Sequence, residues 1–248
     1  MIYDRQLLLH GPKRNTVLEL SEVQRYGTDS FGDPDYVSVY GLRPAEWYAK
    51  GIRLLGRTAV ECTRDAVADA IGMDIAAAAS KLPRPAGALV IDPFAGSANT
   101  LVWILRHLPG VRGLGFELDS AVFERTAKNL AALKVSIDLV NTDHSRGLAD
   151  VVAAPGQLLI IFIAPPWGHA LSEDAGLDLR RTSPPIIEIL DALIRRFERN
   201  PLLCAVQVYE RVVAASLDEL KARFTWSALH IYPLNKPGKN HGILLGRR

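Results

Sequence analysis

The stretch Ala88-Leu89-Val90-Ile91-Asp92-Pro93-Phe94-Ala95-Gly96-Ser97-Ala98-Asn99-Thr100-Leu101-Val102-Trp103-Ile104-Leu105 decides how the chain is read. It opens on an apolar run of strand length, Ala88 to Ile91. It closes on an amphipathic run, Leu101 to Leu105, that can continue as a helix. Between them an acid stands where the strand stops, and small residues stand where the backbone must turn closely. Gly96 can take a positive φ without steric cost, and Ala95, Ser97 and Ala98 let a ligand approach the main chain. The N–H groups that a helix start leaves unpaired favour a polar or anionic ligand group. Strand, turn and helix start together read as a cofactor cradle.

Outward from the cradle, strands and helices alternate. The helix after it is expected to reach about His107, and Pro109-Gly110 turns the chain. Val111 to Glu117 reads as a second strand, whose small residues imply tight packing against a neighbour. Asp119-Ser120 caps a helix through about Ala132. Val135 to Val140 is a third strand, ending at Asn141-Thr142-Asp143, with a short helix near 146–153. Leu158 to Ile163 is continuously apolar, which implies burial on both faces. It ends at Ala164-Pro165-Pro166-Trp167. A helix from Pro184 to about Arg199, a strand from Leu202 to Tyr209, and a helix opened by a capping-box pattern at Ser216-Leu217-Asp218-Glu219 follow. Ser227 to Leu234 and Gly242 to Leu245 flank Asn235-Lys236-Pro237-Gly238-Lys239-Asn240 as a terminal hairpin. The pattern predicts an α/β fold with a doubly wound, mostly parallel sheet, ending in an antiparallel hairpin.

The chain divides at about residue 84: an N-terminal extension over 1–84 and a ligand-binding domain over 85–248. Residues 1 to 43 lack sustained periodicity and read as an arm or lid, or as a partly disordered leader. Pro44 can open a helix to about Leu55, and another is expected from Thr63 towards Ala79, with Val67, Ala70, Ile71 and Ile75 on one side. Trp47 and Tyr48 read as core residues. The 248 residues carry 29 Lys and Arg against 27 Asp and Glu, a net charge of +2. A dedicated duplex binder is usually more basic. No apolar run approaches the roughly 20 residues that span a bilayer, and the first residues do not resemble a signal peptide, so no membrane is expected and the cytoplasm is the default. Cys62 and Cys204 are far apart and the six histidines are scattered, so neither a disulfide framework nor a metal site is expected.

In such sheets ligands bind beyond the carboxyl ends of the strands. Asp92, Glu117, Asp143 and the Ala164–Trp167 turn all sit at predicted strand ends. Glu117 lies 25 residues after Asp92, where an acid can accept both hydroxyls of a ribose. A dinucleotide is the first rival ligand. Against it, the cradle lacks the G-x-G-x-x-G spacing, and Asp92 would repel a pyrophosphate. An acid there suits a cationic ligand, an amino group or the field around a sulfonium.

At this point a resemblance becomes plain. Asp92-Pro93-Phe94-Ala95-Gly96-Ser97-Ala98-Asn99-Thr100 resembles the first motif of class I S-adenosylmethionine-dependent methyltransferases, in the form found in those directed at nucleic-acid amino groups. Phe116-Glu117-Leu118-Asp119 resembles their ribose-binding motif. Asp143, with His144 beside it, matches the acid that contacts the adenine amino group. Ala164-Pro165-Pro166-Trp167-Gly168 resembles their catalytic motif, D/N/S-P-P-Y/F/W. The PPWG form, with Leu177 to Pro184 downstream, is most similar to the trimethylguanosine synthase family of RNA cap guanine-N2 methyltransferases. The resemblance implies a seven-stranded Rossmann-like methyltransferase sheet and S-adenosyl-L-methionine as cofactor. It implies cofactor contacts from Asp92, Phe94, Ala95, Gly96, Asn99, Thr100, Glu117, Leu118, Asp143 and His144. Ala164, Pro165, Pro166 and Trp167 would carry the transfer, with RNA as partner.

The chain departs from the pattern at Ala164, which keeps a backbone carbonyl but loses the side-chain acceptor for the amine. The amine is then oriented by backbone carbonyls and a residue from elsewhere, with His169, Glu173 and Asp174 nearby; or the acceptor atom is a stronger nucleophile, an aliphatic amine or a hydroxyl; or transfer is slow or absent. Trp167 is placed to stack on a flat ring, a contact worth about 1–3 kcal/mol per base. Arg180, Arg181, Arg195, Arg196 and Arg199 form either a basic rim for RNA phosphates or a solvated helix face, and Lys236, Lys239, Arg247 and Arg248 read the same way. Three functions stay open: transfer to a guanine or adenine amine in RNA, transfer to a small aromatic or amine substrate, and cofactor binding without catalysis.

Overall fold

Six consecutive apolar residues, Leu158 to Ile163, can face water on neither side, and the fold places them in mid-sheet. The computed structural model describes residues 2–172, 174–234 and 240–248. Glu173 and residues 235–239 of the hairpin turn, with Lys236 and Lys239, lie outside the described residues. A five-residue π-helix, Gln6–His10, comes first, then four α-helices: α1 (Leu20–Phe31), α2 (Pro44–Ala49), α3 (Gly56–Glu61) and α4 (Asp65–Ala79). Then β1 (Ala88–Asp92), α5 (Asn99–His107), β2 (Arg112–Glu117), α6 (Ser120–Leu133), β3 (Asp138–Asn141), α7 (His144–Asp150) and β4 (Leu158–Ile163) alternate. A short ribbon of β5 (Leu171–Ser172) and β6 (Gly176–Leu177) follows. The chain continues through α8 (Ile186–Arg196), β7 (Leu202–Tyr209), α9 (Ala214–Lys221), β8 (Trp226–Tyr232) and β9 (His241–Arg247).

The main sheet has seven strands in the order β3-β2-β1-β4-β7-β9-β8. The first five in that order are parallel, and β9 runs antiparallel to both β7 and β8. This is the doubly wound sheet with its closing hairpin that the alternation predicts. The chain reverses its direction of travel at β1, so the crevice lies beyond the carboxyl ends of β1 and β4. Register brings the acids to that end: Asp92 pairs with Gly115, and Glu117 pairs with Asn141, two residues before Asp143.

Alternate strand residues bury against opposite helix layers. Leu89, Ile91, Leu159 and Ile161 pack with Leu148 of α7 and Ile189, Leu190 and Leu193 of α8. Val90, Ile160 and Phe162 pack with Val67, Ile71 and Ile75 of α4 and Leu101 and Ile104 of α5. The glycines of β2 serve close approach, as their size suggests. A Cβ on Gly113 would come 2.5 Å from Leu105 Cδ1, and one on Gly115 3.1 Å from the Ala95 Cβ.

The N-terminal residues pack on the sheet domain and carry a helix that the sequence does not mark. Over 1–43 no regular element is expected, yet α1 forms. Leu8, Leu18, Val23, Tyr26, Val37, Val39, Tyr40 and Trp47 build a third core with Ala98 and Val102 of the cradle and α5, and with Leu130 of α6. The helix is hard to read because only Val23, Tyr26 and Gly27 of its twelve residues are buried, and because its capping box opens on Glu19 rather than Ser or Thr. The helix expected from Pro44 to about Leu55 stops at Ala49, with Gly51 at φ 82° just past its end, and α3, which was not expected, follows from Gly56. The capping box at Ser216 does not form. Val213 precedes α9, and the Ser216 hydroxyl lies buried inside the helix, donating to the Val213 carbonyl (2.8 Å) and accepting from Leu179 N–H (3.2 Å).

Candidate cofactor and acceptor site

Asp92 ends β1 with 2% of its surface exposed. One carboxylate oxygen accepts the Phe94 N–H at 3.0 Å; no protein donor reaches the other among the described residues. Burial, reinforced by the nearby charge of Glu117, pushes its carboxyl up to about 7, against the pull of the Phe94 N–H. A buried acid raised this far, with one oxygen not engaged by the described residues, suits a positive centre beside it.

The turn that follows is held from within. Phe94 N–H bonds Asp92, Ala95 N–H the Phe116 carbonyl (2.8 Å), Gly96 N–H the Glu117 carboxylate (3.0 Å), Ala98 N–H the Ala95 carbonyl (2.5 Å) and Asn99 N–H the Ser97 hydroxyl (3.3 Å). Most of the turn's N–H groups are thereby engaged, while the first turn of α5 carries no side-chain cap. Gly96 does take φ 50°, and a Cβ built on it would meet only the Phe94 carbonyl oxygen, at 3.9 Å. Ligand room lies over Gly96. Asn99 and Thr100 are buried, and both amide hydrogens of Asn99 go elsewhere, to the Thr63 carbonyl (2.7 Å) and Asp65 (3.1 Å), while its oxygen takes the Tyr40 N–H (2.6 Å). The Asn99 side chain thus faces the N-terminal segment, not the crevice.

Glu117, at the end of β2, is half-buried, and each of its oxygens takes a backbone N–H, from Gly96 and from Asp119 (2.8 Å). Burial raises its carboxyl pKa against those two donors. Lone pairs remain on both oxygens for two hydroxyl donors. Leu118 beside it is 68% exposed, an apolar side chain with nothing over it. Opposite, Asp143 caps α7: it accepts the Ser145 N–H (2.8 Å) and hydroxyl (2.5 Å), and the Ser145 hydroxyl holds its carboxyl below the usual carboxylate range. His144 lies 5.0 Å from the Phe94 ring, centroid to centroid. Leu118, Phe94 and His144 thus offer apolar and flat faces around the acids. The set suits a group with a diol, a flat base and a positive centre, without phosphate.

The second turn leaves β4. Ala164 and Trp167 are half-buried, Pro165 is buried and Pro166 exposed. The Trp167 ring lies 6.0 Å from the Tyr209 ring and 5.2 Å from the His241 ring, with Tyr209 and His241 6.1 Å apart. Neither Tyr209 nor His241 was legible as a site residue. Both arrive through the register of β7 with β9, which pairs them directly, and no local motif marks either. His169 and Asp174, the nearby candidates to stand in for the missing side chain at Ala164, are exposed to solvent.

Of the two readings open for the arginines, their placement favours the solvated face, since α8 carries its own away from the crevice. α8 runs back from the crevice, and β7 starts beside Leu159, so Arg195, Arg196 and Arg199 lie towards the opposite end of the sheet. Arg247 pairs with Leu203 at that same end. Arg180 is held by Asp178 in two bonds of 2.9 and 2.8 Å, and Arg196 by the carbonyls of Ala149 and Val151. No helix among the described residues is long and apolar enough to cross a membrane.

Sheet order, crevice and closing hairpin define a Rossmann-like methyltransferase fold. Among solved structures the chain is similar to the human methyltransferase 10 domain containing protein, at 12% identity over 75% of this chain and 84% of that one, with a TM-score of 0.50. It is also similar to the precorrin-6y C5,15-methyltransferase of Geobacter metallireducens (15%, 76% and 92%, 0.49) and to the N-terminal domain of human METTL16 in complex with SAH (15%, 71% and 66%, 0.49). At these identities the likeness is one of fold. No family model matches the chain, and no curated protein matches its sequence.

Proposed function

We propose that the chain is an S-adenosylmethionine-dependent methyltransferase acting on an exocyclic amino group of a nucleobase, guanine or adenine, in RNA. The observation that carries the reading is the pairing of two turns at one end of the sheet: a phosphate-averse cradle with buried Asp92 and bridging Glu117, and a half-buried Trp167 two prolines beyond β4. S-adenosylmethionine, when bound, supplies an electrophilic methyl group. Asp92 stands for its positive centre, Glu117 for the ribose hydroxyls, and Leu118, Phe94, Asp143 and His144 for the adenine. Trp167 offers the stacking face for the acceptor ring, and the Ala164 carbonyl an acceptor for the amine N–H.

A small aromatic substrate is the second reading, favoured by the α8 arginines lying away from the crevice. Incubation with labelled S-adenosylmethionine, with RNA and with a metabolite extract in parallel, separates the two. An RNA acceptor brings label into RNA and an apparent affinity that falls steeply with salt; label confined to small molecules, with a flat salt profile, overturns the RNA reading. Trp167→Ala is expected to keep S-adenosylhomocysteine binding and lose transfer. Transfer retained in that variant removes Trp167 from the acceptor site.

A further inference from the structure

The proposed acceptor site has a wall that no motif accounts for. Trp167, Tyr209 and His241 stand with ring centroids 5.2 to 6.1 Å apart, tilted 45° to 71° from one another, at the end of β4, the end of β7 and the start of β9. Beneath them Gln207, 6% exposed, directs its amide nitrogen to His241 Nδ1 at 3.3 Å and to the Thr63 hydroxyl at 3.2 Å.

That bond settles the imidazole. Nδ1 accepts, so a neutral ring carries its proton on Nε2. Burial, with the charge of Arg64 adding to it, pushes the imidazole down to about 4, which keeps the ring neutral at physiological pH. Among the described residues Nε2 has no hydrogen-bond partner, and it is not among the polar atoms sealed from solvent. The site therefore holds one fixed, unspent donor beside a stacking face.

We propose that His241 is a specificity-determining residue whose Nε2–H donates to an acceptor ring nitrogen next to the amine of the bound ring. This rests on the reading of Trp167 as the stacking face for the acceptor. A donor so placed reads the base edge. Adenine presents N1 and cytosine N3, lone-pair nitrogens flanking the amine. On the Watson–Crick edge of guanine the neighbour of the amine is N1–H, and two donors would face each other; its lone-pair neighbour, N3, lies on the sugar side of the ring, away from that edge. An edge mismatch leaves a buried donor unpaired, and a site built around a hydrogen bond rejects an analogue that lacks its partner far more strongly than an apolar pocket rejects a missing methylene. Of the two bases in the proposed function the donor selects adenine over guanine, and cytosine, with the same edge pattern, would be accepted as well.

The test is binding of adenosine, 1-deazaadenosine and guanosine to the full chain saturated with S-adenosylhomocysteine, in wild type, His241→Phe and His241→Gln. Adenosine is expected to bind at least about tenfold more tightly than 1-deazaadenosine, in which a C–H replaces N1, and than guanosine; tenfold is about 1.4 kcal/mol. His241→Phe should bring adenosine and 1-deazaadenosine to a common level, weakening the former and not the latter. His241→Gln, which keeps a donor, should restore part of the difference. Equal weakening of all three ligands in His241→Phe, no discrimination in wild type, or a preference for guanosine overturns the assignment. A wild-type chain that fails to bind S-adenosylhomocysteine overturns the proposed function and this inference with it, so the two failures are told apart.

Discussion

At the scale of single residues, Asp92 carries a cost that its place in the cradle explains. Its buried carboxyl titrates near 7 in the fold and near 3.8 when free, so between those values the folded chain binds more protons than the unfolded one. Stability from this group is complete below about pH 4 and is lost as pH rises through 7. Asp92→Asn keeps the acceptor for Phe94 N–H and removes the titration. Relative to the variant, the wild type is expected to lose on the order of a few kcal/mol between pH 4.5 and pH 8. Urea unfolding of both chains at the two pH values measures it; parallel stabilities would mean that Asp92 is ionised at no cost. The acid was legible in the sequence because a strand end followed by small residues is a local pattern. Burial depth and a shared field with Glu117 are not local, and neither is Asn99, whose neighbours Tyr40, Thr63 and Asp65 come from 34 to 59 residues away.

At the scale of elements, the cradle is clamped from both flanks. Thr126 of α6 donates to the Gly96 carbonyl at 2.7 Å, and the Tyr40 hydroxyl donates to the Ser97 carbonyl at 2.6 Å. Tyr40 is 1% exposed and holds φ 61°, a left-handed conformation uncommon for a bulky residue, so the segment before α2 is bent to reach the turn. Tyr40→Phe leaves the ring in place and orphans a buried carbonyl. Destabilisation of about 1–3 kcal/mol is expected, together with weaker S-adenosylhomocysteine binding, measured by urea melts and calorimetry. Lost stability with unchanged affinity would assign Tyr40 to the core alone. Elements with one strong period were legible: β4 and β7 match their expected limits, and α5 and α6 lie within a residue or two. Ser216 misled because hydroxyl spacing fits a capping box equally well when the hydroxyl is buried mid-helix. The arginines of α8 stayed ambiguous for a related reason: sequence proximity to the Ala164–Trp167 turn says nothing about which end of the sheet a returning helix reaches.

For the whole molecule, the question is whether the N-terminal residues are a removable lid over a self-sufficient sheet domain. The packing argues against removal. Leu8, Leu18, Val23, Tyr26, Val37, Val39 and Tyr40 are buried to 5% exposure or less, in one cluster with Ala98, Val102 and Leu130 from the sheet's own helices. Taking residues 2–43 away would uncover a continuous apolar face on α2, α5 and α6 and cut the Tyr40 tie to the cradle. Each large side chain so exposed forfeits about 1.5–3 kcal/mol of burial, and a few of them exceed the 5–15 kcal/mol by which a folded chain usually survives. A chain starting at Pro44 is therefore expected to aggregate or to melt without a cooperative transition, while Tyr40→Phe in the full chain still folds. Circular dichroism and light scattering on the two proteins decide the matter. A truncated chain that unfolds cooperatively near the wild-type midpoint, and still binds S-adenosylhomocysteine, would make these residues a lid laid over a finished domain; loss of fold makes them part of the wall that keeps the cradle in shape.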